Sequence, residues 1–120
     1  EDLLVCQVAR GSAWGLAVLD TATGASRDLL PRGSPAAITP AWSPDGKWIV
    51  YAETTESFDA TRPPANGDLW AVSLDGTNRT QLTKGTAAEW NPRFGPDGRI
   101  YYCRAEAGAV EIWSFVSPLR

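Results

Sequence analysis

Fourteen carboxylates, two cysteines and no histidine set the chemistry open to this 120-residue chain. Without His, a Ser/His/Asp triad, a Cys/His dyad and a His-ligated zinc site are excluded. Cys6 and Cys103 stand far apart, which suits neither a CxxC metal knuckle nor a disulfide-dense scaffold. Carboxylate chemistry remains, as paired acid and base or as oxygen ligands for calcium. Most of the eight Asp, however, sit at turns or strand ends, and Asp45, Asp75 and Asp97 each directly precede a Gly. Asp supplies a side-chain acceptor and Gly tolerates positive φ, so an Asp-Gly pair is first of all a tight turn. The residues point to no catalytic group, no metal site and no cofactor.

The elements that carry these residues follow from composition and punctuation. The chain is 43% apolar and 21% charged, enough to build the core of one small domain. A net charge of −3 offers no basic surface for nucleic acid or an anionic membrane. No apolar run approaches the roughly 20 residues of a membrane helix, so no membrane insertion is expected. There is no Met, which predicts a processed or excised chain.

Nine Pro and 11 Gly interrupt every helix-length stretch. Between them lie short β-branched and aromatic runs: Leu3–Cys6, Leu16–Leu19, Trp48–Ala52, Leu69–Val72, Ile100–Cys103 and Ile112–Val116. Several are apolar on both faces, as strands between two packed layers must be. An all-β chain is expected.

The runs repeat. Displacement by 52 residues sets Arg27, Leu30, Gly33, Ala36, Pro40, Pro44, Asp45 and Gly46 on Arg79, Leu82, Gly85, Ala88, Pro92, Pro96, Asp97 and Gly98. Chance would give about one or two identities over that span. The following strand recurs as Ile49–Ala52, Ile100–Cys103 and, on this alignment, Leu3–Cys6; the next recurs as Leu16–Leu19, Leu69–Val72 and Ile112–Phe115. Four strands in about 45 residues is one propeller blade.

The segment Pro40-Ala-Trp-Ser-Pro-Asp-Gly-Lys-Trp-Ile-Val-Tyr-Ala-Glu53 resembles the TolB-like (WD-repeat-like) β-propeller repeat, as do Asp68–Gly76, Arg79–Thr83 and Pro92–Gly98. About three four-stranded antiparallel blades are expected. Residues 1–35 would hold strands two to four of blade 1, 36–85 the whole of blade 2, and 86–120 strands one to three of blade 3. Pro44, Asp45, Gly46, Pro96, Asp97 and Gly98 are read as structural turns. Trp42 and Phe94 would plug the spaces between blades, and Cys6 and Cys103 would be buried free thiols at equivalent places.

Ten strands in about three blades cannot close a ring. The chain is expected either to be a segment of a longer propeller or to pair as a homodimer that completes a six-blade ring. Leu16 and Leu19 would be uncovered at one end, Trp113 and Phe115 at the other. The connection Thr54–Gly67 is about ten residues longer than its counterpart in the third repeat. Long loops on a rigid scaffold carry recognition, so Phe58, Asp59 and Arg62 are candidate binding residues. Lys84 and Glu89, in the neighbouring blade-to-blade loop, join them.

The resemblance implies a non-enzymatic scaffold for a protein or peptide partner, extracytoplasmic or periplasmic. The alternative is the access-gating propeller of a prolyl-oligopeptidase-like or tricorn-like peptidase whose catalytic domain lies outside this chain. A catalytic ring of the lyase or glycosidase kind ranks last.

Overall fold

The computed structural model describes residues 2–10, 13–31, 34–55, 61 and 63–119. They form ten antiparallel strands and no helix: β1 (Leu3–Arg10), β2 (Ala13–Asp20), β3 (Ser26–Asp28), β4 (Ala36–Trp42), β5 (Trp48–Thr54), β6 (Asp68–Ser73), β7 (Arg79–Gln81), β8 (Ala88–Phe94), β9 (Arg99–Glu106) and β10 (Ala109–Val116). Three meandering sheets result, β1-β2-β3, β4-β5-β6-β7 and β8-β9-β10. The second is packed between the other two. This is the expected all-β class, a partial propeller that is not closed.

Two apolar layers join the sheets. Leu16, Val18, Leu29 and Leu30 of the first pack on Ala37, Ile49, Tyr51 and Val72 of the second, with Trp42 against them. On the other side, Ile38, Val50, Ala52, Leu69 and Ala71 pack on Ile100 and Tyr102, joined by Phe94 and Phe115. Adjacent residues of a strand point to opposite faces. The apolar-on-both-faces pattern of β5 and β6 is thus what a strand between two layers requires.

Strand pairing corrects the alignment read from the sequence. Val18 faces Val5, whereas its counterpart Ala71 faces Val50. Leu4, not Leu3, therefore matches Ile49, and Gln7 matches Ala52. Likewise Ala17 pairs with Asp28 and Trp70 with Gln81, so Arg27 and Leu30 are not the equivalents of Arg79 and Leu82. A slip of one residue turns every side chain to the other face. It also changes three of the four expected uncovered residues: Leu16 is buried against the second sheet, and Phe115 and Trp113 face that sheet too, while Leu19 pairs with exposed Leu4 on the outer face of the first sheet. The uncovered faces carry Leu4 on the first sheet and Tyr101 and Ile112 on the third. Cys6 and Cys103 are free but half-buried, and they are not repeat equivalents.

The innermost strands share an irregularity. Pairing shifts between Ile38 and Ala41 and again between Trp90 and Arg93, at Thr39-Pro40 and Asn91-Pro92. Pro has no N–H for the ladder and forces a bulge. The residue before it turns left-handed, Thr39 at φ 53° and Asn91 at φ 59°.

Candidate functional site

Antiparallel order places Ala36, Thr54, Asp68, Ala88 and Glu106 at one end of the sheets and the Asp-Gly turns at the other. The turn end is knit by local hydrogen bonds, beside an open cavity of about 450 Å³ lined by Arg27, Gly46, Lys47, Ser73, Leu74 and Asp75. Ser43 Oγ donates to Asp45 Oδ1 (2.6 Å), the Lys47 N–H donates to the same oxygen (3.0 Å), and Gly46 takes φ 73°. Ser73, Asp75 and Thr77 repeat the arrangement. At the third turn Gly98 takes φ 79°, and Asp97 accepts from the Tyr101 hydroxyl (2.8 Å). These donors hold Asp45 and Asp97 below the usual carboxylate range and Asp75 down to about 2. The bonds to Asp45 and Asp75 all fall on Oδ1, which fixes these carboxylates as the acceptors of their own turns.

The opposite end is open. A cavity of about 410 Å³ lies there at the end of the second sheet, lined by Pro35, Glu53, Asn66, Asp68, Trp70 and Thr86 among others. Asn66 ties the end of the long connection to its start: Thr54 Oγ1 and the Thr55 N–H both donate to its Oδ1 (2.9 Å each), and its Nδ2 donates to Thr55 Oγ1 (2.8 Å). Arg79 stacks on Trp70 with 4.4 Å to the ring centroid. The same guanidinium donates to the Tyr51 hydroxyl (3.1 Å) and pairs with Glu53. Burial pushes the Tyr51 hydroxyl up to about 12, so it is a neutral hydrogen-bonding group.

The carboxylates here are poorly solvated and held above their ordinary range. Burial is the main cause for Glu53, Asp68 and Glu89; the charge on Asp68 adds to the upward shift of the other two. Glu89 is 7% exposed, and its Oε2 lies 3.8 Å from Arg104 Nε. Asp68 Oδ1 and Glu89 Oε1 are buried without a hydrogen-bond partner among the described residues. Arg104 also pairs with Glu106 (2.9 Å) and stacks on Trp113. Such a rim offers acceptors, one apolar ring and a negative bias, which suits recognition. Among the described residues, no three of Cys, Asp and Glu are grouped to hold a metal ion.

Of the residues proposed from sequence, Lys84 is exposed and acts electrostatically on Asp68. Glu89 lies at the same end but is buried instead of presented on a loop. Phe58, Asp59 and Arg62 lie outside the described residues. Sequence reasoning missed Asn66, Asp68, Trp70 and Arg79 as members of the cavity and its wall. The signal was available at Glu89 itself. Its repeat equivalent is Ala37, which is fully buried, so a charge occupies an apolar slot.

No family model matches the chain. An uncharacterised protein of Agrobacterium fabrum is 29% identical over 92 residues, covering 76% of this chain and 28% of that protein. A dipeptidyl-peptidase 5 of Porphyromonas gingivalis is 38% identical over 73 residues, 60% of this chain and 10% of the relative. The Tol-Pal system protein TolB of Hahella chejuensis is 40% identical over 68 residues, 57% of this chain and 14% of the relative. The chain thus spans less than a third of each of these relatives. Among solved structures, a putative TolB from Agrobacterium tumefaciens superimposes with a TM-score of 0.80 at 19% identity, over 96% of this chain and 42% of that one. TolB from Acinetobacter baumannii gives 0.76 at 14% identity, over 98% and 27%. The chain has a TolB-like β-propeller fold.

Proposed function

We propose that this chain is part of a non-enzymatic propeller scaffold that binds a protein or peptide partner at the end bearing the Thr54–Gly67 connection. The observation that carries the reading is the contrast between the two ends. Both ends carry a cavity, but at the turn end the carboxylates are engaged by their own turns, whereas at the other Asp68, whose buried Oδ1 has no partner among the described residues, lines the cavity with Trp70 and Asn66. Lys84, Glu89 and the long connection, with Phe58, Asp59 and Arg62, are the residues assigned to the partner. The likeness to TolB folds supports an extracytoplasmic location and a ring of more than three blades. That ring is completed by further blades of a longer chain or by a second copy.

A second reading is favoured by one observation, the dipeptidyl-peptidase relative. In that case the propeller gates a catalytic domain elsewhere, and no residue named here performs the cleavage.

The test replaces residues 56–64 with a short Gly-Ser turn and measures partner capture in the protein as its gene encodes it. Loss of capture with an unchanged circular dichroism spectrum is expected. Unchanged capture overturns the assignment of this face. Cleavage of dipeptidyl chromogenic substrates by the same preparation moves the reading to the peptidase.

A further inference from the structure

The Thr54–Gly67 connection is fastened at its neck by Asn66. Its Oδ1 accepts from Thr54 Oγ1 and from the Thr55 N–H, and its Nδ2 donates to Thr55 Oγ1. An amide suits the place because one planar group must both accept and donate. The next residue is fixed for a different reason. Gly67 is buried, and a Cβ on it would stand 2.7 Å from the Glu89 carbonyl oxygen. Its own carbonyl accepts the Glu89 N–H (3.0 Å), which ties the neck to β8 of the third sheet.

Two separate demands thus set Gly directly after Asn, and that pair has a chemistry of its own. No side chain shields the Gly67 nitrogen, which is one ring closure away from the Asn66 carboxamide carbon. On attack, an N–Cγ bond forms, the Cγ–Nδ2 bond breaks, and ammonia leaves with the proton of the Gly67 N–H. Water then opens the cyclic imide at either carbonyl. The products are aspartate and isoaspartate, the latter with its main chain routed through the former side chain. In the folded chain both reacting groups are restrained. The carboxamide is held across the neck by Thr54 and Thr55, and the Gly67 peptide is held against Glu89.

We propose that Asn66-Gly67 is a deamidation site controlled by this neck: inert while the neck is fastened, converted when it opens, and unable to refasten as isoaspartate. Three changes act together in that product. The Nδ2 donor to Thr55 is lost. The main chain gains an atom before Gly67, which displaces the carbonyl bonded to Glu89. A new carboxylate joins Glu53 and Asp68 in the wall of the same cavity. The open end of the second sheet is therefore released in one direction only.

The test incubates the protein as its gene encodes it at mildly alkaline pH, native and in urea. Conversion of Asn66 is read by peptide mass mapping and enzymatic methylation of isoaspartate. Native conversion should be at least about tenfold slower than conversion in urea. Thr55→Val, at an exposed site, removes the acceptor for Nδ2 and should speed native conversion about three- to tenfold. Native conversion at the urea rate, or a Thr55→Val variant no faster than the unaltered chain, overturns the proposal. Isoaspartyl protein, separated by its added charge, is then compared with the Asn form by hydrogen exchange. The Thr55 and Glu89 N–H groups should each exchange at least about tenfold faster. Unchanged protection at either would overturn the one-way release.

Discussion

The second and third sheets are built from one repeat, yet they differ in what covers them. The second is enclosed by neighbours on both sides, so Ile49, Val50, Tyr51 and Ala52 are all fully buried along one strand. On the third, Ile100 is buried while Tyr101 is exposed, and the alternation of an ordinary half-covered sheet returns. Trp70 and Trp113 occupy equivalent places and each carries an Arg on its face. The cation comes from β7 in the second sheet and from β9 in the third, which lacks a fourth strand among the described residues. Repeat identity sets the strand; neighbours decide which of its faces becomes core.

Truncations at matched positions should separate the sheets most strongly. Leu69→Ala empties a fully buried site between two sheets and should cost about 2–5 kcal/mol in urea melts of the 120-residue chain. Ile112→Ala, its equivalent on the open face, should cost under about 0.5 kcal/mol in the same chain. Equal costs would remove the distinction between covered and open faces.

Next in size is Gly95→Ala. A Cβ there would stand 2.6 Å from the Tyr101 ring, which lies over the glycine backbone. A cost of about 1–3 kcal/mol is expected. The second sheet has Ser43 and Val50 at these two places, so Gly95→Ser with Tyr101→Val should recover most of the loss. A thermal-melt double-mutant cycle showing simple additivity would contradict the coupling.

Gly46→Ala, at positive φ in the second sheet's turn, should cost on the order of 1 kcal/mol. Asp45→Ala should cost less, since only side-chain hydrogen bonds are lost. Neutral behaviour of both in urea would contradict the turn geometry.

The smallest effects lie in pH dependence, and they have opposite signs at the two ends. Asp75 is held down to about 2, so its contribution is present above the unfolded value near 4 and is lost as pH falls through about 2. Glu89 is held up by burial, so the folded state binds its proton more tightly and stability falls as pH rises through its raised value. Asp75→Asn should flatten the acid limb of a stability–pH curve, and Glu89→Gln the limb above it. A curve left unchanged by Glu89→Gln would contradict a desolvated carboxylate there.

Much of this was legible in the residues. The strands, the Asp-Gly turns and the repeat all came from local chemistry, because Pro, Gly and Asp act through their own backbone. Facing was less legible: Leu3–Cys6 is apolar throughout, so no polar residue pins its register, and only pairing with β2 revealed the one-residue slip. The candidate site was legible where one repeat breaks the other, as at Glu89 against Ala37. It was hidden where Asn66, Asp68, Trp70 and Arg79 converge from separate strands and loops, since their proximity exists only in the assembled sheets.

The comparison between the two ends of the sheets bears most directly on function. Photo-cross-linking amino acids are placed one at a time at Thr55 and Lys84 on the open end and at Lys47 and Thr77 on the turn end. Each variant is irradiated with the partner that the unmodified protein captures, and adduct yield is read by mass spectrometry. The account expects adducts from Thr55 and Lys84 and none above background from Lys47 and Thr77. Adducts confined to Lys47 and Thr77 would contradict it.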